Sequence, residues 1–206
     1  RLAAQTISFA DLPPVGEPGT IAQQRPLGVL EIEQVDFANG VKALVWANDA
    51  EPGRVTVRVR FGAGWRAFDA DNAVYASLGE AALVGSGLGE LGQNEIDRLA
   101  TGRKLGFDFG IDDAVFTLTA QTRSEDVNDQ LYLFAAKLGM PRWDKDPVIR
   151  AKAAAELAYN TFSTSPGGIL NRDLEYLVTG GEKRFATPDP AALKSASPEE
   201  FRKVWE

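Results

Sequence analysis

The side chains of this chain that could do acid–base or metal chemistry are mainly carboxylates, because its 206 residues contain no histidine and no cysteine. Thiol catalysis, disulfide bonds and a Ser-His-Asp triad are therefore excluded, and zinc lacks its usual nitrogen and sulfur ligands. The pentapeptide Ser77-Leu78-Gly79-Glu80-Ala81 is the most informative segment. On a helix, positions 77, 80 and 81 share one face, and Glu80 carries the ionisable side chain there.

A second motif, Gly87-Leu-Gly-Glu-Leu-Gly92, matches the G-x-G-x-x-G pattern of dinucleotide-binding loops. That fingerprint needs a strand before the glycines and a helix that opens inside them. Here a helical pattern precedes the glycines, so the sequence predicts a turn between two helices and no cofactor.

Three carboxylate pairs could in principle hold Ca²⁺ or Mg²⁺, namely Asp69/Asp71, Asp112/Asp113 and Asp144/Asp146. None of them belongs to a loop with the ligand number of an EF-hand. We interpret them as turn residues whose carboxylates accept local backbone hydrogen bonds. A Ser-Lys catalytic pair stays open, although no Ser-x-x-Lys stands in a suggestive context.

Composition and charge limit the class of protein. Hydrophobic residues make up 44% of the chain and charged residues 25%, which is typical of a globular protein with a core. The net charge of −7 argues against nucleic acid as a partner, because phosphate binding needs a basic stripe. No apolar run approaches the roughly 18 residues of a membrane span.

The element pattern predicts an α+β fold, with an antiparallel β-sheet and helices packed on one face. The Pro- and Gly-rich residues 1–29 indicate an extended linker with little regular structure. Two apolar runs around Asn39-Gly40 predict a hairpin, and residues 54–61 alternate as a half-buried strand does. The remaining predictions are strands over 107–111 and 114–120, and helices over 72–84, 94–105, 124–138, 147–161, 166–178 and 197–205.

Three stretches, in this order, resemble one domain of the pitrilysin/insulinase-type (M16) zinc metallopeptidases. Phe37-Ala-Asn-Gly-Val-Lys-Ala-Leu-Val-Trp46 is similar to the opening hairpin of the family, and Val57-Arg-Val-Arg-Phe-Gly-Ala-Gly64 to its next strand. Asn94-Glu-Ile, before a helix that ends at Leu105-Gly106, is similar to the segment after the motif helix. The likeness extends from about residue 31 to about residue 185 and implies an α+β metallopeptidase-like domain.

The family carries His-x-x-Glu-His on the helix after that strand, with both histidines on zinc and the glutamate as general base. The resemblance aligns Ser77 with the first histidine, Glu80 with the glutamate and Ala81 with the second histidine. The third zinc ligand of the family is a glutamate on a later helix, and Glu156 stands at the corresponding distance. These four residues are thus degenerate zinc-site positions, and no catalytic or metal-binding residue is expected. The alternative for Glu80 is a solvated helix face or a local salt bridge.

M16 peptidases consist of paired homologous halves, of which one binds zinc. The resemblance therefore implies a non-catalytic domain that helps to enclose peptide while a separate zinc-bearing half, in cis or as a partner subunit, performs proteolysis. Both ends look cut, so we expect a piece of a longer zinc metalloendopeptidase. Its division would be linker 1–29, inactive domain 30–196 and the start of a following helix at 197–206. The sequence does not determine the cellular compartment, for which we expect the periplasm.

Two alternatives stay open at this stage. The same ancestry could serve a scaffold or assembly domain with no role in proteolysis. An unrelated α+β enzyme that uses carboxylates or a serine is the other possibility. The sequence does not identify the peptide substrate, the number of domains or the oligomeric state.

Overall fold

The structure is a computed structural model that describes residues 8–28 and 30–206. Two three-stranded antiparallel sheets and seven α-helices make up these residues. The strands are β1 (Ile21–Pro26), β2 (Ile32–Phe37), β3 (Lys42–Trp46), β4 (Arg54–Phe61), β5 (Asp108–Ile111) and β6 (Phe116–Arg123). The helices are α1 (Ala73–Val84), α2 (Gln93–Leu99), α3 (Val127–Gly139), α4 (Lys145–Phe162), α5 (Pro166–Val178), α6 (Pro190–Ser195) and α7 (Pro198–Trp205).

The first sheet has the strand order β1-β2-β3 and lies largely in solvent. The turn between β2 and β3 is the one that Asn39-Gly40 predicts. Gly40 has φ +88°, and the Asn39 side chain accepts a hydrogen bond from the Val41 amide at 3.1 Å. A positive φ of this size is easy only for glycine, so this residue pair fixes the register of the hairpin.

The second sheet, ordered β4-β6-β5, forms one wall of the core. Alternate residues of β4 face inward, where Val57, Val59 and Phe61 pack against a buried cluster of Phe109, Leu118, Ala120 and Phe134. The polar residues between them, among them Arg58 and Arg60, face solvent. Helix α1 packs beside β5 on one side and against α4 on the other. None of the helices in the described ranges is both long and apolar enough to cross a membrane.

The expected α+β class is confirmed, and the differences are local. The antiparallel strands divide into two sheets rather than one. The predicted lack of structure before residue 30 is wrong for β1, which pairs with β2 although all six of its residues are exposed. Residues 1–7 and 29 of the predicted linker lie outside the described residues.

Two helix predictions also need correction. Helix α2 ends at Leu99, six residues before the predicted end at Leu105. Helix α6 was not predicted, because it has only six residues and too little sequence to show a periodic pattern. The division of the chain into residues 1–29, 30–196 and 197–206 stays a prediction.

Trp205, the last residue of α7, joins α7 to α1 and to the second sheet. Its ring packs against Phe68, Phe109, Phe116 and Phe201, with centroids 5.3 to 6.1 Å apart. Its indole N–H donates to the Tyr75 carbonyl of α1 at 3.0 Å. Gly79 makes this approach possible, because a Cβ there would lie 2.2 Å from Trp205 Cζ2.

We expect Gly79→Ala to lower the free energy of unfolding by about 1–3 kcal/mol, because the added methyl group must displace the Trp205 ring. Urea denaturation followed by tryptophan fluorescence measures this change. The matched control is Gly167→Ala in α5, where a Cβ would meet nothing within 4 Å. That substitution removes only a poor helix former and should stabilise by up to about 1 kcal/mol. Equal effects of the two substitutions would contradict the close approach at Gly79.

Candidate functional site

The predicted site residues of the pentapeptide lie where helical spacing places them. Ser77, Glu80 and Ala81 are all exposed on one face of α1. Leu78 and Gly79 between them are buried in the core. One face of the helix therefore holds α1 in the fold, and the other presents Ser77, Glu80 and Ala81, whose assignment as zinc-site positions stays a prediction.

Ser77 lies at a recess between α1, α4 and the segment that leads into α6. Its hydroxyl donates to the Ala73 carbonyl of the preceding turn at 3.3 Å. The recess has a volume of about 250 Å³ and a mainly apolar lining that includes Trp65, Ala155, Ala158, Phe162, Phe185 and Leu193. Nothing in this lining orients or activates the Ser77 hydroxyl as a nucleophile.

Glu80 has a specific partner that local sequence cannot reveal. Its Oε1 accepts a hydrogen bond from the backbone amide of Ile111 at 3.1 Å, across a separation of 31 residues. Ile111 is the last residue of β5, which lies at one edge of the second sheet. The carboxylate is therefore neither simply solvated nor engaged in a local salt bridge, the two alternatives that the sequence suggested.

Glu156 lies on α4, the helix that packs against α1, and is half-buried. Its neighbour Ala155 lines the recess at Ser77, whereas Glu156 itself is not part of that lining. In residues 8–28 and 30–206, no group of three or more histidine, cysteine or acidic side chains is placed to hold a metal ion. The structure does not bring Glu80 and Glu156 together in such a group, and the assignment of Glu156 as the third zinc-site position stays a prediction.

The remaining motifs have structural roles. The Gly87–Gly92 loop connects α1 with α2, as predicted, and the Gly87 amide donates to Asp144 Oδ2 at 3.0 Å. Asp69 accepts from the backbone amides of Asp71 and Asn72, each at 3.0 Å. Asp69 thus serves as a turn residue, as the sequence indicated, whereas Asp144 accepts from an amide 57 residues away rather than from its own turn.

Lys137 of α3 is a buried cation that sequence analysis missed. It borders an apolar cavity of about 190 Å³, and its Nζ lies 4.7 Å from the centroid of the Phe107 ring. The ammonium donates to the carbonyls of Leu83, Val84 and Ser86, at and just after the C-terminal end of α1. A positive charge at a helix C-terminus is favourable, so Lys137 fixes the end of α1. Burial lowers the pKa of Lys137 to about 8, despite the opposing effect of Asp144 and Asp97.

Comparisons with known proteins identify solved structures that have a similar fold. No protein-family model matches the chain, and no curated protein matches its sequence. The periplasmic protease PqqL from Escherichia coli has a TM-score of 0.77 at 13% identity, over 99% of this chain and 23% of that one. The ferredoxin protease FusC, in complex with Arabidopsis ferredoxin, has a TM-score of 0.75 at 19% identity, over 100% of this chain and 22% of that one.

A third solved structure, a peptidase M16 inactive domain from Pseudomonas fluorescens, has a TM-score of 0.68 at 19% identity. It matches 85% of this chain, which spans 43% of that one. All three chains are thus much longer than their matched parts. The resemblance to M16 domains is confirmed at the level of the fold.

The pKa of Lys137 predicts a pH-dependent stability. Its folded-state value of about 8 lies below the ordinary lysine value near 10.4, so the unfolded chain binds more protons between these two values. The free energy of unfolding should therefore rise with pH in this window. Relative to Lys137→Met, wild type should gain about 2 kcal/mol between roughly pH 7.5 and pH 10, measured by urea denaturation.

Lys145→Met is the control for this pH series. Its ammonium is exposed, and a hydrogen bond to Glu199 raises its pKa, so stability from this pair is lost only as the pH rises through that raised value. Wild type should show no gain over Lys145→Met in the same window. A pH-independent difference between wild type and Lys137→Met would contradict the lowered pKa.

Introducing two histidines tests the assignment of Ser77, Ala81 and Glu156 as zinc-site positions. Because residues i and i+4 of a helix share a face, Ser77→His/Ala81→His should bind one Zn²⁺ per chain in isothermal titration calorimetry, whereas wild type binds none. Adding Glu156→Ala to this variant should weaken the binding, since it removes the third ligand. Unchanged affinity would show that Glu156 is not the third position, and absence of binding by the two-histidine variant would contradict the alignment at Ser77 and Ala81.

Proposed function

We propose that this chain, which has the fold of M16 peptidase domains, is a non-catalytic domain of such a peptidase. It forms part of the wall that encloses peptide, while a separate zinc-bearing half cleaves it. The observation that carries the proposal is the chemistry of the exposed face of α1, which consists of Ser77, Glu80 and Ala81. Ser77 and Ala81 offer no nitrogen ligand at the positions assigned to the two histidines, and the carboxylate of Glu80 accepts a hydrogen bond from a backbone amide.

A catalytic role for this face is chemically unsupported. A general base must reach the water or substrate from which it takes a proton, and a zinc hydrolase needs three protein ligands around an open position. Glu80 instead uses Oε1 to accept from Ile111. The Ser77 hydroxyl donates to the Ala73 carbonyl and makes no hydrogen bond to Glu175, the carboxylate in the lining of its recess, and Ala81 has no functional group. These features also argue against an unrelated enzyme with its active site at this face.

An exposed apolar surface on α5 supports the proposal of a separate half. Helix α5, all of whose residues are described, buries none of them. It exposes a stripe of large apolar side chains, made up of Ile169, Leu170, Leu174, Leu177 and Val178. Exposed apolar patches of this kind mark interaction sites. We propose that the zinc-bearing half covers this stripe, either from the same chain or from another.

The compartment and the substrate class follow from the same proposal. One solved structure of this fold is described as a periplasmic protease, which supports the periplasm as the compartment. Another is a protease in complex with a protein, ferredoxin, which supports polypeptide as the material enclosed. The bound zinc would belong to the other half, since these residues offer no histidine or cysteine.

Co-expression with the zinc-bearing half of the same protein tests this function. The chain alone should not cleave labelled casein, and the zinc-bearing half should cleave it substantially faster when this chain is present. Leu174→Asp/Leu177→Asp should abolish both the stimulation and co-purification, because a charge in an apolar interface is costly. Leu131→Asp, at an exposed leucine of α3, is the matched control and should preserve both.

A scaffold domain gives a different result in that experiment. It would co-purify with the zinc-bearing half and leave the cleavage rate unchanged. Cleavage by this chain alone, insensitive to metal chelation, would instead indicate an unrelated enzyme.

A further inference from the structure

Strand β5 offers a row of backbone groups along the outer edge of the second sheet. Its residues pair with β6 in the register Asp108↔Thr119, Phe109↔Leu118, Gly110↔Thr117 and Ile111↔Phe116. The next residue, Asp112, donates its amide to the Val115 carbonyl and so belongs to a hydrogen-bonded pair. Because hydrogen-bonded and non-hydrogen-bonded pairs alternate, Phe109 and Ile111 direct their N–H and C=O groups away from β6.

Glu80 blocks this edge at one end. The outward amide of Ile111 donates to Glu80 Oε1 at 3.1 Å. An added strand would need the amides and carbonyls of both Phe109 and Ile111, and Glu80 already holds one of these four groups.

We infer that Glu80 closes the β5 edge to strand addition, and that the strand it excludes is an extended peptide. The choice of peptide rests on the proposed function, since a domain in the wall of a peptide chamber meets extended chains. The closure itself rests on the bond between Glu80 and Ile111. At the position where the M16 family places its general base, this chain thus uses a carboxylate to protect a sheet edge.

The carboxylate of Glu80 competes effectively with an added strand for the Ile111 amide. An added strand pairs by offering carbonyl oxygens to the outward amides of β5. At Ile111 an incoming carbonyl must displace an ionised acceptor that is held on α1, and ionised acceptors bind amides more strongly than neutral ones. The remaining carboxylate oxygen also repels the negative end of that carbonyl dipole. Extended peptide enclosed by the domain therefore does not bind to the outer edge of β5.

Fluorescence anisotropy with a strand-forming peptide tests this inference on the 206-residue chain. The probe is a fluorescein-labelled octapeptide, Lys-Thr-Val-Thr-Val-Thr-Val-Lys. Glu80→Ala should bind it about tenfold more tightly than wild type, because one hydrogen bond becomes available to the peptide. Glu80→Gln, whose neutral amide oxygen can still accept from Ile111, should bind it with an affinity between those of wild type and Glu80→Ala.

Two controls make the result specific. Glu156→Ala removes one negative charge from the neighbouring helix without touching β5, and it should behave as wild type does. An octapeptide methylated at every backbone nitrogen cannot donate hydrogen bonds from either edge, and Glu80→Ala should not bind it. Hydrogen exchange reports on the folded state of the variant: the Ile111 amide should exchange faster in Glu80→Ala, while core amides keep their protection.

The inference is overturned if wild type and Glu80→Ala bind the probe equally, or if neither binds it. Dimerisation of Glu80→Ala without peptide binding, seen by light scattering, would mean that a second copy of the chain is the excluded strand and would overturn the assignment to peptide. These outcomes are independent of the casein assay. If this chain does not stimulate casein cleavage but Glu80→Ala binds the octapeptide, the proteolytic role is contradicted. The inference that Glu80 closes the β5 edge then still stands.

Discussion

The fold depends on the close contact between Trp205 and Gly79. A single missing Cβ lets an indole lie directly on α1, where it also reaches the aromatic side chains of the second sheet. The hydrogen bond to the Tyr75 carbonyl sets the position of the indole along the helix. Helix α1 is thereby fixed between β5 and α4, and the direction of its exposed face is determined from its buried side.

That direction explains why side chains on the exposed face of α1 can change while the geometry of the helix is kept. Packing constrains Leu78 and Gly79, whereas Ser77, Glu80 and Ala81 face outward and carry no part of the core. Ligand residues on such a face can be replaced with little effect on stability, since surface substitutions usually change it by no more than about 0.5 kcal/mol. Glu80 is the exception, because its carboxylate holds the Ile111 amide at the edge of a sheet. Under the proposed function, the domain is retained for its shape, and Glu80 protects a sheet edge within it.

The parts of the fold that could be predicted have local causes. Asn39-Gly40 encodes its own turn, and the alternation over 54–61 encodes the two faces of β4. Strand β1 could not be predicted, because its segment Ile-Ala-Gln-Gln-Arg-Pro is exposed throughout and owes its conformation to pairing with β2. Two contacts join segments that are distant in sequence: Glu80 with Ile111, and Lys137 with the end of α1. Because both are long-range, no local sequence pattern predicts them. Helical spacing did predict that Ser77, Glu80 and Ala81 share a face, but not what that face contacts.

The most direct test of the account is the metal content of the purified 206-residue chain and of its complex with the zinc-bearing half, measured by inductively coupled plasma mass spectrometry after dialysis. The account predicts no stoichiometric zinc in the chain alone and one Zn²⁺ per complex, contributed by the other half. One Zn²⁺ retained by wild-type chain alone, together with peptide cleavage that a chelator abolishes, would contradict it.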